Sequence, residues 1–449
     1  MIIKLSPLSP GVRRTPARSV ERTVAQVTDR RSPVNRGSDP VPVGSVPPLG
    51  EIPARMHGQV VRQSRYGEPA RAFAVEVVEV PPIGPDEVLV AVMAAGINYN
   101  NVWAARGYPV DQIAVRQKAG EPEDFHVGGS DLSGIVYAVG DDVSNVRIGD
   151  HVVAHHGWWS PEDPWVQAGK DPMIAPSARI WGYDTNFGSF GQFSRMQAHQ
   201  VLPKAEHLTW EEAAAPTLVG TTAYRMLFGW PPNVVQPDDL VLVWGGSGGL
   251  GTQAIQLARH AGALPVAVVS DEARGQYAQK VGAVGWINRR DFDHWGIPPR
   301  FDDVAGQKAW GASAKAFGKR LWEIAGERRD PAIVFEHPGQ DTIPTSIFLC
   351  GAGGMVVICA GTTGYDALVD LRYHWTRQKR LQGSHGTNDE QAKLYNDLVC
   401  LGKIDPCLGK VRSFTEIPAA HEAMAGGEEV FGNTVCLVGA GAPGGGRSE

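Results

Sequence analysis

Val241-Leu242-Val243-Trp244-Gly245-Gly246-Ser247-Gly248-Gly249-Leu250-Gly251, running on into Thr252-Gln253-Ala254-Ile255-Gln256-Leu257-Ala258, decides the fold. An apolar, β-branched run gives way to a glycine-dense turn and then to a helical pattern, with the spacing Gly246-x-Gly248-x-x-Gly251. Glycines at these steps let the backbone turn sharply and approach a pyrophosphate, whose charge rests on unpaired amides at the helix N-terminus. A glycine-rich turn alone is a common structural element. Between a strand and a helix, with a second strand-like run from Leu264 to Val269, it reads as a dinucleotide site made by Gly246, Ser247, Gly248, Gly249, Leu250 and Gly251.

Working outward, helical stretches alternate from about Trp210 with buried-strand runs at Leu240 to Trp244, Leu264 to Val269, Ala332 to Phe335 and Gly354 to Cys359. That alternation predicts an α/β domain with a doubly wound parallel sheet over residues 209–375. Its second strand ends in Ser270-Asp271-Glu272-Ala273-Arg274. An acidic residue here binds the ribose hydroxyl of NAD, whereas Ser270 with Arg274 suits the 2′-phosphate of NADP. The two signals conflict, and an exposed loop of mixed charge is the plain alternative.

Before this domain the period is shorter. Ala74-Val75-Glu76-Val77-Val78-Glu79-Val80, Glu87-Val88-Leu89-Val90-Ala91-Val92 and Gly134-Ile135-Val136-Tyr137-Ala138-Val139 are strand-like runs parted by Gly/Pro turns. They predict an all-β lobe, a partly open barrel, over residues 51–208. Residues 376–440, with a helix near Asp389 to Leu401 and the strand Thr434-Val435-Cys436-Leu437-Val438, are expected to return to complete it. Residues 1–50, rich in Pro, Arg and Ser, read as a flexible tail, with a targeting role as the lesser alternative. Residues 441–449 read as a flexible C-terminus.

The 449 residues are 43% hydrophobic and 20% charged, with a formal charge of −6, which gives no global reason to expect nucleic acid or an anionic membrane as partner. No run approaches the roughly 18 apolar residues of a bilayer-spanning helix. The five cysteines all lie from Cys350 onward, in spacings that suit neither a zinc knuckle nor a disulfide framework, so a reducing cytoplasm is expected.

Gly129-Ser130-Asp131-Leu132-Ser133-Gly134, Val139-Gly140-Asp141-Asp142-Val143 and Gly149-Asp150-His151-Val152 resemble the medium-chain dehydrogenase/reductase superfamily. The resemblance implies a GroES-like partly open β-barrel catalytic domain joined to a Rossmann domain. Zinc enzymes of that superfamily carry a His-Glu pair where this chain has Ser130-Asp131, and an early cysteine ligand that it lacks, so no metal is expected. Within the superfamily, Gly96-Ile97-Asn98-Tyr99-Asn100-Asn101-Val102-Trp103, Ile180-Trp181-Gly182-Tyr183-Asp184-Thr185-Asn186-Phe187-Gly188, Val334-Phe335-Glu336-His337-Pro338-Gly339 and Gly383-Ser384-His385 resemble the crotonyl-CoA carboxylase/reductases and their longer-chain relatives.

That family resemblance implies NADPH as cofactor, with enoyl-CoA and CO2 as substrates. Hydride goes to the β-carbon, and the α-carbon then attacks CO2 to give an alkylmalonyl-CoA of the kind used as a polyketide extender unit. It implies roles near CO2 for Asn100 and His385, and for Tyr183 and Asp184, where the family has Phe and Glu. Asp184 is one methylene shorter than Glu, and Tyr183 adds a hydroxyl to a site that benefits from dryness. Enoyl-CoA or quinone reduction without carboxylation is therefore the alternative, with a catalytically silent dinucleotide-binding protein beyond it. Structural readings also exist: an Asx-type turn for Asn100, a satisfied buried imidazole for His385, a wall aromatic for Tyr183. Arg372 and Tyr373 match a CoA-contacting block, with Lys319 and Arg320 as added charge, although a solvated helix face accounts equally for those two. Gly361-Thr362-Thr363-Gly364 and Trp181 are expected to wall the acyl pocket. The resemblance further implies a homodimer or homotetramer.

Overall fold

The strand Leu240–Trp244 is the centre of the dinucleotide half in the computed structural model, which describes residues 35–37, 39–428 and 431–447. Six parallel strands lie in the order Gly285–Asn288, Leu264–Val269, Leu240–Trp244, Ile333–Glu336, Met355–Ile358 and Arg380–Gly383. Val241 and Val243 pack against Ala254, Ile255 and Ala258 of the helix Gly249–His260 on one face. Leu240, Leu242 and Trp244 meet Phe317 and Leu321 of the helix Val304–Ala325 on the other. Burial on both faces is why this strand reads as an unbroken apolar run rather than an alternation. The strand order reverses beside Leu240–Trp244, so the crevice beyond its carboxyl end is placed to receive a ligand.

The other half is the expected β lobe. Glu87–Gly96 pairs with Leu132–Val139, Phe193–Gln197 and Asn433–Leu437, the hub of a seven-stranded sheet. Register shifts between Leu89 and Val90 and between Val92 and Ala94 break its ladder with Leu132–Val139, the kind of irregularity that bends a sheet. A second sheet, Phe73–Glu79, Arg55–Val61 and His126–Val127, shares one core with the first through Met56, Val60, Val90, Phe190 and Phe193. This is the GroES-like unit beside a Rossmann unit.

The boundary at 375/376 does not hold. Arg380–Gly383 is the sixth strand of the parallel sheet, hydrogen-bonded to Met355–Ile358. The helix Asp389–Cys400 buries Ala392, Tyr395 and Val399 in the core of the dinucleotide half. The chain rejoins the β lobe only at Leu408–Ser413 and Asn433–Leu437. An edge strand with the polar pattern Arg-Leu-Gln-Gly carries no buried-run signal, which is why sequence patterning stopped short of it.

Both chain ends also differ from expectation. Residues 1–34 and 38 of the expected tail lie outside the described residues. Residues 39–50 dock on the β lobe: Tyr137 Oη donates to the Pro47 carbonyl at 2.6 Å, and the Gly44 amide to Val438 at 2.9 Å. At the other end, the Gly444 amide donates to Glu211 Oε1 at 2.7 Å and the Trp210 amide to the Gly445 carbonyl at 2.9 Å. Arg447 pairs with Glu212 at 3.1 Å. Lys204 Nζ donates to the carbonyls of Gly446 at 2.8 Å and Ala205 at 2.9 Å, and to that of Leu208. Burial draws the Lys204 amine below its ordinary pKa. These partners are backbone carbonyls, which composition does not display. Ending the chain after residue 443 strips the Lys204 ammonium of one acceptor and the Trp210 amide of its partner. Stability is expected to fall by about 2–4 kcal/mol, read as a lower urea midpoint at unchanged slope.

Candidate active site

The glycine turn is held by close approaches that only glycine permits. Gly245 has φ +60°, in the left-handed region. A Cβ on Gly246 would lie 2.5 Å from the Ala267 Cβ, and one on Gly251 2.3 Å from the Gly245 carbonyl oxygen. The turn is also clamped to the β lobe. The Gly432 amide donates to the Ser247 carbonyl at 2.9 Å, and a Cβ on Gly249 would fall 1.8 Å from Asn433 Oδ1. Ser247, Gly248, Gly249, Leu250 and Gly251 line a cavity of about 420 Å³. Gly246 is not among its lining residues and serves the packing of turn on strand.

Ser270 and Arg274 line an adjoining cavity of about 970 Å³ that shares Gly245, Ser247 and His337 with the first. Asp271, the acid that argued for NAD, is already engaged. Its Oδ1 caps the helix Glu272–Lys280 by accepting from the Arg274 amide at 2.9 Å, while Oδ2 accepts from Ser270 Oγ at 3.1 Å and pairs with Arg274 Nε at 3.2 Å. The Arg274 amide leads in holding this carboxyl below its usual range. Four cations that the sequence reading missed, Arg289, Arg290, Lys410 and Arg412, line the same cavity. They come from the turn after Gly285–Asn288 and from the returning strand Leu408–Ser413, so only the fold unites them. A glycine cradle without room for Cβ atoms, opening on cations, fits a phosphorylated dinucleotide.

Asn100, Tyr183 and His385 come together on the smaller cavity, with His156, Trp103 and Ser384. Asn100 opens the helix Asn100–Arg106 and donates through Nδ2 to Ser130 Oγ at 2.9 Å, while its Oδ1 accepts from Asn101 Nδ2 at 3.0 Å. Ser130, standing where zinc relatives carry histidine, therefore orients the amide. The neighbouring Asp131 is fully buried and turned away, accepting from the Leu218 amide at 3.1 Å and Asn98 Nδ2 at 3.3 Å. Asp184 stands just behind Tyr183, accepting from Gln112 Nε2 at 2.9 Å and the Ile180 amide at 2.7 Å. Burial pushes the Asp184 carboxyl up and the His385 imidazole down, each opposed by the other's charge. Burial also raises the Tyr183 phenol, which stays protonated.

The His385 loop is tied to the β lobe by Asp389, whose Oδ1 meets His155 Nε2 at 3.0 Å and His199 Nδ1 at 2.8 Å. His155 Nδ1 accepts from the Gly157 amide at 3.2 Å, which places the His155 proton on Nε2, facing Asp389. These three side chains lie close enough to hold a metal ion, but that proton makes them a hydrogen-bonded tie.

A third cavity, about 310 Å³, extends from Tyr183 and His385 past Trp103, Gly361, Gly364 and Tyr365. Thr363 lines the cavity of about 970 Å³ instead, and Thr362 lines both that cavity and the one shared by Asn100, Tyr183 and His385. Trp181 is no pocket wall: it is 1% exposed, packs in the β-lobe core and donates to the Arg195 carbonyl at 2.9 Å. Tyr373 and Lys319 share a separate cavity of about 730 Å³ with Lys315, Arg328 and Arg377. Arg320 and Arg372 are not in its lining. Arg320 pairs with Glu323 at 3.2 Å, and Arg372 with Asp370 at 2.6 Å, its guanidinium lying over the Phe301 ring.

Comparison with known proteins gives this geometry its relatives. Residues 84–206 match the alcohol dehydrogenase GroES-like domain and residues 249–400 the family described as zinc-binding dehydrogenase. The crotonyl-CoA carboxylase/reductase of Cereibacter sphaeroides is 48% identical over 396 residues, 88% of this chain and 90% of that protein. Crotonyl-CoA reductase of Streptomyces collinus is 39% identical over 79% of each chain. Among solved structures, crotonyl-CoA carboxylase/reductase AntE in complex with NADP superposes with a TM-score of 0.86 at 52% identity, covering 90% of this chain and 99% of that one. The 2-octenoyl-CoA carboxylase reductase CinF, in complex with NADP and 2-octenoyl-CoA, gives 0.80 at 34%, covering 89% and 91%. With its two-lobed fold, its glycine cradle and this identity over most of its length, the chain belongs to the crotonyl-CoA carboxylase/reductase family of the medium-chain dehydrogenase/reductase superfamily.

Proposed function

We propose that this chain reductively carboxylates a 2-enoyl-CoA at the expense of NADPH, without zinc. The observation that carries the reading is the convergence of Asn100, Tyr183 and His385 on the cavity that the glycine turn also lines. Bound NADPH supplies hydride to the β-carbon of the conjugated thioester. The electron pair displaced from the double bond is delocalised into the thioester and then forms a bond from the α-carbon to CO2. One C=O pair of CO2 moves onto oxygen, and the product is an alkylmalonyl-CoA. A proton reaching the α-carbon first gives the saturated acyl-CoA instead, so the side chains here must present hydrogen bonds without admitting water.

Asn100 and His385 are the donors toward CO2 in this reading, with Ser130 and Asp184 fixing their settings. Neutrality suits His385: a neutral imidazole is a far poorer proton source for the carbanion than an imidazolium. Ser270 and Arg274, with Arg289, Arg290, Lys410 and Arg412, hold the extra phosphate of NADPH. Tyr373 and Lys319 take the nucleotide end of CoA, with Arg372 reaching it after leaving Asp370. The edge strand Arg380–Gly383, with Leu381 40% exposed, suits pairing with a second copy in a homodimer or homotetramer. All five cysteines are free thiols, consistent with the cytoplasm, and no described helix is long and apolar enough to cross a membrane.

Simple reduction remains the second reading because of one feature. The Asp184 carboxylate is taken up by Gln112 and the Ile180 amide, and the Tyr183 hydroxyl sits at the cavity wall. Mass analysis of products from a series of enoyl-CoAs, with labelled bicarbonate and carbonic anhydrase, separates the two. Labelled alkylmalonyl-CoA is expected, and saturated acyl-CoA alone would leave only the reductase. In the same assay Asn100→Leu is expected to shift product toward saturated acyl-CoA by about tenfold, the loss of one hydrogen bond to developing charge. Arg274→Ala with Arg412→Ala is expected to raise KM for NADPH by roughly tenfold or more, with little change for NADH, because charge-assisted hydrogen bonds to the 2′-phosphate are lost.

A further inference from the structure

We propose that His156 is a further residue of the active site, which holds the carboxyl oxygens formed when CO2 is captured. The proposal rests on the carboxylating reading above. The His155-His156 doublet splits its duties. His155 is consumed by Asp389 and the Gly157 amide, whereas His156 edges the cavity with Asn100, Tyr183, Ser384 and His385. His156 is 2% exposed, and its buried Nδ1 has no hydrogen-bond partner. Its backbone is fixed, because the Trp181 amide donates to the His156 carbonyl at 2.8 Å.

A buried ring nitrogen without a partner carries a cost that a folded chain avoids unless something else satisfies it. Nδ1 is enclosed and unpartnered, so nothing prevents the proton from sitting on Nε2, the ring nitrogen that is not enclosed and can present a donor to an occupant of the cavity. Burial holds the imidazole well below its ordinary pKa, and His155, His385 and Arg225 add to that by repulsion. The ring is thus neutral, a donor that lacks the readily released proton of an imidazolium. As the new C–C bond forms, negative charge develops on oxygens that were only weakly basic in CO2, and an N–H set in advance gains strength with it. The shorter Asp184, held by Gln112 and Ile180, leaves this task to another side chain.

The test compares wild type, His156→Phe and His156→Gln. Label fixed per NADPH oxidised is expected to fall about tenfold in His156→Phe and to recover in part in His156→Gln, which keeps a donor. Inhibition by ethylmalonyl-CoA and by butyryl-CoA is measured on the same proteins, and their affinity ratio is expected to move about tenfold toward butyryl-CoA in His156→Phe. An affinity ratio and a product ratio unchanged in both variants overturn the assignment. A wild type that fixes no label sinks the carboxylating reading instead, and the inhibitor ratio then judges His156 by itself.

Discussion

The contact on which the rest depends is the approach of two backbones, Ser247–Gly249 of the dinucleotide turn and Gly432–Asn433 of the returning strand. Beside it, Gly249 leaves room for the Asn433 side chain, whose Oδ1 a Cβ there would meet at 1.8 Å. The contact sets the glycine cradle against the β lobe, and so puts the turn and Asn100 on one cavity. A side chain at Gly249 would displace the Asn433 amide at this seam. The signature glycines therefore serve lobe packing as well as phosphate approach.

The second theme is charge placement around the cavity. Burial shifts His156 and His385 toward neutral imidazole, so the rings beside Asn100 offer dipoles rather than imidazolium charge. A cleft of mobile charges and water would hand a proton to a carbanion. Fixed amides and neutral rings stabilise developing charge and are poorer proton sources than an imidazolium. Full charges are kept at the edges, beside the dinucleotide and in the Lys319 cavity.

Much of this was legible in the sequence. Strand–turn–helix order gave the parallel sheet, and short β-branched runs gave the other lobe. The resemblance named Asn100, Tyr183 and His385, which do share a cavity. What was illegible depends on tertiary contact. Arg289, Arg290, Lys410 and Arg412 are far apart along the chain and look like ordinary surface charge until two strands place them together. Asp271 looked like a ribose ligand because a sequence does not reveal that its oxygens are taken by a helix cap. Trp181 sat in a family-like block yet faces the core. The Arg380–Gly383 edge strand and the docked C-terminal segment lacked apolar pattern, since backbone hydrogen bonds hold them.

The engaged Asp271 has an evolutionary consequence. In many dinucleotide folds one acidic residue sets the choice of coenzyme, and a single exchange changes it. Here the cations lining the same cavity as Asp271, namely Arg274, Arg289, Arg290, Lys410 and Arg412, come from three separated stretches of chain, while the Asp271 carboxylate is already paired with Arg274. Drift toward the unphosphorylated coenzyme would have to dismantle several cations and release that carboxylate as well. A coenzyme choice resting on so divided a set of charges is buffered against single mutations.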